Sequence, residues 1–241
     1  MEQLYDMHCH ILPGVDDGAP DEYTMMKMVR IAYNEGIRTI LMTPHYHPYR
    51  GSADAETVMQ VFGKSYSLIK HYYPDMEVYE GCEIYFQRDI ISKLKNGELL
   101  TLAGSKYALI EFSTDVECSY VRDALSEVLF AGFIPVIAHI ERYDDLMDDI
   151  DMVEELVESG VYVQVNAGSV VGNSGMKTKK DIKKLLQRDL VHFVGTDAHD
   201  IKVRAPLIRK TARFIEKKFG QDTAERIFHY NPAMLIKNKI I

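Results

Sequence analysis

The sequence predicts a single α/β domain, residues 1–241, whose strands close into a (β/α)7 barrel, TIM-barrel-like but one strand short of the usual eight. Three observations predict it. Apolar strand-like runs alternate with helix-periodic stretches along the chain, the order that gives a parallel sheet. Gly36, Gly132 and Gly160 each stand between a helical pattern and the next strand, where a helix C-cap belongs. Most strands end in His, Asp or Glu, and a closed βα barrel assembles its active site at the strand C-termini. A doubly wound open sheet is the alternative, but it gathers ligands at one switch point; here the candidates are spread over nearly every strand.

The first strand runs into His8-Cys9-His10, followed by a Gly/Pro-bounded loop carrying Asp16 and Asp17. Residues i and i+2 of a strand face the same way, so His8 and His10 can hold one cation while the loop returns a carboxylate over it. Two polar strand residues facing solvent are the simpler reading of that motif alone. The recurrence of the same residue types favours the cation: residues 37–43 lead to Pro44-His45, 76–80 to Gly81-Cys82-Glu83, 107–110 to Glu111, 133–138 to His139 and 191–196 to Asp197-Ala198-His199. Only residues 161–166 end in an amide, Asn166. Helical periodicity places helices at 21–35, 55–73, 88–95, 120–130, 143–159, 179–188 and 204–219.

Composition fits one such domain. Hydrophobic residues make up 46% of the chain, enough for a sizeable core, and no run reaches the ~18 apolar residues of a membrane helix. Met1-Glu2-Gln3-Leu4 enters a strand directly, so no secretory signal is expected and a cytoplasmic location follows. Three cysteines, Cys9, Cys82 and Cys118, form no Cys-x-x-Cys, which suits a reducing compartment and argues against structural zinc. The formal charge of −8, from 28 basic and 36 acidic residues, is the wrong sign for a protein that neutralises nucleic-acid phosphates. Lys177, Lys179, Lys180, Lys183 and Lys184 read as a solvated helix face.

The ordered strings His8-Cys9-His10-Ile11-Leu12-Pro13-Gly14-Val15-Asp16-Asp17-Gly18, Thr43-Pro44-His45, Leu109-Ile110-Glu111-Phe112, Ala138-His139-Ile140-Glu141-Arg142-Tyr143 and Thr196-Asp197-Ala198-His199 resemble the PHP (polymerase and histidinol phosphatase) superfamily. Within it they are most similar to bacterial manganese-dependent protein-tyrosine phosphatases of capsular and exopolysaccharide loci. The resemblance spans residues 6 to about 204 and implies a distorted barrel of PHP type. One departure is Ile140, where the family usually has proline. The resemblance further implies two or three divalent ions: His8, His10, Glu83 and Asp197 around the first, Glu83 bridging to a second held by Glu111 and His139, and Asp17, His45 and His199 around a third. His/carboxylate ligation without thiolate suits Mn, Fe or Zn, with Mn favoured by the family. His47, His71, His192 and His229 fall outside this set; His71 and His229 read as surface or packing residues and His192 as packed or paired.

Arg142 and Arg204 each follow a candidate ligand closely and could grip a phosphate through paired hydrogen bonds; the alternative is a salt bridge at a helix start, with Asp144 or Asp145 as partners. Arg50 is a weaker candidate on a bordering loop. Cys82-Glu83-Ile84-Tyr85-Phe86-Gln87-Arg88 matches the Cys-x5-Arg spacing of cysteine-nucleophile phosphatases, but its bulky, glycine-free interior cannot wrap a phosphate and Glu83 would raise the thiol pKa. The implied activity is metal-assisted hydrolysis of phosphotyrosine on a protein partner such as a tyrosine-kinase tail, with His199 or a metal helping the leaving group. Its rivals are a small-molecule phosphatase such as one for histidinol phosphate, a phosphodiesterase, and a binding module without turnover.

Overall fold

Seven parallel staves form the barrel. In chain order the strands are β1 (Leu4–Cys9), β2 (Ile37–Met42), β3 (His45–Tyr46), β4 (Glu77–Glu80), β5 (Glu83–Tyr85), β6 (Tyr107–Glu111), β7 (Ile134–Ile137), β8 (Tyr162–Asn166) and β9 (Phe193–Gly195). β1 pairs with β2 and β2 with β4; β3, β5, β6, β7, β8 and β9 follow in order. β2 with β3, and β4 with β5, are halves of two staves interrupted at Thr43-Pro44 and Gly81-Cys82. Proline cannot donate to a ladder, yet pairing resumes at once, because Glu83 N donates to Pro44 O at 3.0 Å. The ring closes where Asp197 N donates to His8 O (2.8 Å) and His10 N to Ala198 O (2.9 Å). The computed structural model describes residues 3–49 and 51–241; Arg50 lies outside the described residues.

Register decides what points inward. Glu83 lies opposite Leu109, Leu109 opposite Val136, Val136 opposite Tyr162, and Gln164 opposite Phe193, so one face carries an apolar floor. Met7, Leu41, Tyr107, Leu109, Val136 and Phe193 make that floor. Two residues further along their strands, Glu111 and Asn166 stand above it on the same face. The larger apolar cluster lies on the other face, where strand residues such as Ile40, Ile84, Ile110 and Val163 meet helix residues such as Met25, Val121 and Leu185.

The helices hold in kind, with shifted ends. Glu22–Asn34 begins at Asp21, whose side chain accepts from Thr24 N. The expected helix 143–159 is two helices, Asp144–Asp148 and Ile150–Glu158, because Asp149 leaves helical geometry and caps the second through Met152 N. The expected helix from 204 begins only at Arg209. Residues before it are diverted because the Asp200 carboxylate accepts from the backbone N–H groups of Lys202, Val203 and Arg204, and Pro206 disfavours helix at Ala205. Ala167–Val171, Gln221–Glu225 and Asn231–Ile236 are further short helices. Among the described residues no helix is long and apolar enough to cross a membrane.

Three of the four histidines left aside as non-ligands take packing or surface places. His71 is exposed on its helix, and His229 sits in a π-helical turn with its ring edge-on to Tyr5. His192 is buried; its Nδ1 accepts from Val163 N at 3.1 Å. Burial, and then the charge of Arg226, push its imidazolium pKa down from 6.5 to about 4. Between those values the unfolded chain binds the proton and the folded chain does not, so stability present above pH 6.5 is lost as pH falls toward 4. Urea unfolding at pH 7 and pH 4.5 should show His192→Asn losing about 2 kcal/mol less than the parent over that interval; equal losses would discount the site.

Candidate metal centre

Nine side chains from six of the seven stave ends converge above the apolar floor. Glu83 is wholly buried and central: its Oε2 lies 3.2 Å from His8 Nε2, 3.2 Å from His10 Nε2 and 2.9 Å from His45 Nδ1, and its Oε1 2.7 Å from His139 Nε2. Asp197 Oδ1 is 3.4 Å from His10 Nε2 and 3.6 Å from His199 Nδ1. Asp17 Oδ1 is 3.4 Å from His199 Nε2 and 3.6 Å from His45 Nε2. Glu111 reaches His139 Nε2 at 3.6 Å and His45 Nδ1 at 3.7 Å. Three groups have their ligand atoms within 4.8 Å of one another: His10, Asp17, His45, His199; His8, His10, Asp197; and His45, Glu83, Glu111. This grouping differs from the division the resemblance implies, since His10 and His45 each serve two groups, while His139, beside both Glu83 and Glu111, falls in none of the three.

Local backbone aims these groups. His139 (φ 31°) and Asp197 (φ 52°) occupy the left-handed region, which non-glycine residues adopt at a cost of order 1–3 kcal/mol and which clusters at functional sites. Gly195 lets β9 approach β1, because a Cβ there would stand 2.4 Å from His8 Cβ.

A supporting layer sets the tautomers. His8 Nδ1–H donates to Gln164 Oε1 (3.2 Å) and His10 Nδ1–H to Asp16 Oδ2 (2.7 Å), which leaves both Nε2 lone pairs directed at the centre, as metal-binding imidazoles require. Gln164 Oε1 also accepts from His139 N (2.7 Å), while its Nε2 donates to Asn166 Oδ1 (3.0 Å) and Asn166 Nδ2 donates to Asp197 Oδ2 (2.8 Å). One strand thus ties His8, His139 and Asp197 together. Asp6 does the same for the last loop, accepting from Thr196 N (2.8 Å) and Oγ1 (2.6 Å). These residues were not among the expected ligands. Their signal was a polar side chain inside an apolar strand: Asp6 two before His8, Gln164 two before Asn166.

The cluster fits divalent cations on its own geometry. His8 Nε2 and His10 Nε2 face each other at 3.1 Å, a lone-pair clash unless a positive charge lies between them. His45 Nδ1, Glu83 Oε2, Glu111 Oε2, His139 Nδ1 and His199 Nε2 are buried without a hydrogen bond, each costing about 1–3 kcal/mol if left so. The titration behaviour follows. Burial opposes the ionised form of Glu83, but the charge of His8 and the neighbouring imidazoles of His10 and His139 hold it well below the carboxylate range; Asp197 is held low against burial in the same way, chiefly by His10. Burial, then the Glu83 charge, pushes Glu111 to about 7. Burial also opposes charge on His10, yet Asp16, Asp197 and Glu83 raise it well above its usual value, so the surrounding carboxylates favour positive charge at this position.

Arg142 and Arg204 rim this cluster. Arg142 lies in the 3-10 turn Ile140–Arg142 and Arg204 in the loop before the Arg209–Phe219 helix. Both bind Asp197, Arg142 through Oδ2 and Arg204 through Oδ1 at 2.7 Å, rather than Asp144 or Asp145. Their side chains are 37% and 39% exposed, which leaves guanidinium edges open to a ligand. Cys82 is buried, its thiol raised by burial and next by Glu83, and Arg88 is exposed; the pair forms no phosphate loop.

Fold and site together define a βα-barrel metalloprotein of PHP type, with a His/carboxylate centre under two arginines. The chain belongs to the capsular polysaccharide synthesis CpsB/CapC family, whose model matches residues 4–237. It is 35% identical over 243 residues to the tyrosine-protein phosphatase CpsB of Streptococcus pneumoniae, covering 99% of this chain and 100% of that protein. It is 34% identical over 239 residues to the tyrosine-protein phosphatase YwqE of Bacillus subtilis, covering 99% and 93%. A solved structure described as that of YwqE from Bacillus subtilis and CpsB from Streptococcus pneumoniae, "unique metal-dependent tyrosine phosphatases", superimposes with a TM-score of 0.92 at 32% identity, over 99% of this chain and 96% of that one.

Proposed function

We propose that this chain is a metal-dependent protein-tyrosine phosphatase, a single domain over residues 1–241, acting in the cytoplasm on a phosphotyrosine-bearing partner of capsular or exopolysaccharide synthesis. A tyrosine-kinase tail is the partner we propose. The observation that carries the reading is the convergence of His8, His10, Asp17, His45, Glu83, Glu111, His139, Asp197 and His199 beneath two half-exposed arginines. These nine would hold two or three divalent ions, with manganese first and iron or zinc as alternatives. Such ions supply Lewis acidity toward phosphoryl oxygens and a nucleophilic water at neutral pH.

The protein's own groups do the rest. Arg142 and Arg204 present N–H donors to the phosphoryl oxygens, bound to the two oxygens of Asp197 so that both forks are held before the substrate arrives. Asn166 fixes Asp197 in turn. Burial, then the charge of His10, pushes His199 down to about 3; unprotonated at neutral pH, it suits ligation better than proton donation. A tyrosyl leaving group, with a pKa of about 10, makes little demand on a general acid.

The test runs phosphotyrosyl peptide, histidinol phosphate and a phosphodiester side by side on metal-loaded protein. Chelation should abolish phosphotyrosine hydrolysis while Cys82→Ser leaves it within about twofold, the reverse of a cysteine-nucleophile mechanism. Activity that survives chelator but not Cys82→Ser would overturn the assignment. A preference for either small substrate would replace the protein substrate.

A further inference from the structure

A surface groove leads away from the arginines. The cleft beside Arg142, Asp197 and Arg204 is also walled by Gly168, Asn173 and Leu207, and the same three residues line an adjoining cleft that runs to Arg209, Lys210 and Arg213. Leu207 is 54% exposed between the two and gives the channel an apolar step alongside Val171 and Val203. Lys210 and Arg213, three residues apart on the Arg209–Phe219 helix, share a face, are exposed, and enter no ion pair among the described residues. Among the described residues the Arg209 guanidinium hydrogen-bonds only to backbone carbonyls, those of Asn34 and Glu35. Glu35, the acid of this cleft, has one oxygen taken up by the N–H groups of Ile208 and Arg209. The groove is therefore basic on a chain whose formal charge is −8, so an acidic segment meets attraction here and net repulsion from the molecule as a whole.

We propose that this groove is an exosite for acidic residues flanking the phosphotyrosine of the substrate protein, with Lys210 and Arg213 opposite the carboxylates and Leu207 against the intervening chain. The assignment rests on the phosphatase reading and extends it to substrate choice. An extended peptide whose phosphate sits between Arg142 and Arg204 can continue into the groove without leaving the surface, and complementary charge raises encounter and retention while leaving the chemical step alone.

Steady-state kinetics on metal-loaded enzyme test it with three probes: p-nitrophenyl phosphate, a phosphotyrosyl peptide flanked by aspartates and glutamates on either side, and the matched peptide with asparagines and glutamines. The acidic peptide should be preferred by about tenfold in kcat/KM, mostly through KM, and the preference should shrink with added salt. In the Lys210→Glu, Arg213→Glu double variant that preference should vanish or invert, while p-nitrophenyl phosphate turnover stays at the parental value. Equal kcat/KM for the two peptides in the parent, or an unchanged preference in the double variant, overturns the exosite alone. No turnover of any probe by the parent overturns the phosphatase reading and the exosite with it.

Discussion

Glu83→Gln is expected to abolish phosphotyrosine hydrolysis and to lower the metal content of the purified protein. The carboxylate is the hub of the centre, within 3.2 Å of nitrogens on His8, His10, His45 and His139. An amide keeps its volume but removes the charge and turns one oxygen into a donor aimed at imidazoles. Losing an outer-layer partner of a metal site typically costs 10–100-fold, so loss of the shared carboxylate should exceed roughly 100-fold in rate and in metal affinity. Gln164→Leu provides the scale, because it removes the acceptor for His8 Nδ1 and His139 N without touching a ligand atom; it should fall within the 10–100-fold range. Calorimetric titration of the stripped protein with Mn²⁺ reads both directly. Parental affinity in Glu83→Gln would remove Glu83 from the ligand set.

Arg142→Ala and Arg204→Ala carry the second-largest effect. If both guanidinia stabilise the transferring phosphoryl group, each truncation should cost about 3 kcal/mol of transition-state stabilisation, on the order of 10²-fold in rate. Metal content and melting temperature should change little, since Asp197 keeps Asn166 and its imidazole neighbours. Lysine at either position keeps a point charge but loses the planar fork, so Arg142→Lys and Arg204→Lys should be impaired less than the alanine variants. A purely structural role gives the opposite pattern: activity per folded molecule persists and stability falls by roughly 1 kcal/mol or less. Full activity in both alanine variants would leave the ions as the only phosphate-binding groups.

Much of this was legible in the linear chain because its signals are local. Alternating apolar runs and helical periods repeat every few residues, so the order of strands and helices could be read directly. Position at a strand end then marks a side chain as bound for one rim of a barrel; His8, Glu111, His139 and Asp197 were found that way. Helix ends were less legible. The break at Asp149 and the delayed start at Arg209 depend on capping and on the Asp200 turn, which compete with helical periodicity that looks continuous in sequence.

What the sequence determined by itself is the kind of barrel and the inventory of candidate ligand types, since both follow from residue identity at short, regular spacings. Tertiary structure decided which atoms meet. That His10 and His45 are shared between groups, that Arg142 and Arg204 close on opposite oxygens of Asp197, and that Gln164 steadies both His8 and His139 all depend on register between elements far apart in sequence, His8 and Gln164 by 156 residues. The same holds for the groove beyond Leu207, where a helix and two loops distant in sequence lie side by side. Short-range patterning specifies the elements; only packing of the closed ring brings their ends within hydrogen-bonding distance, and ligand sharing and substrate reach are properties of those distances.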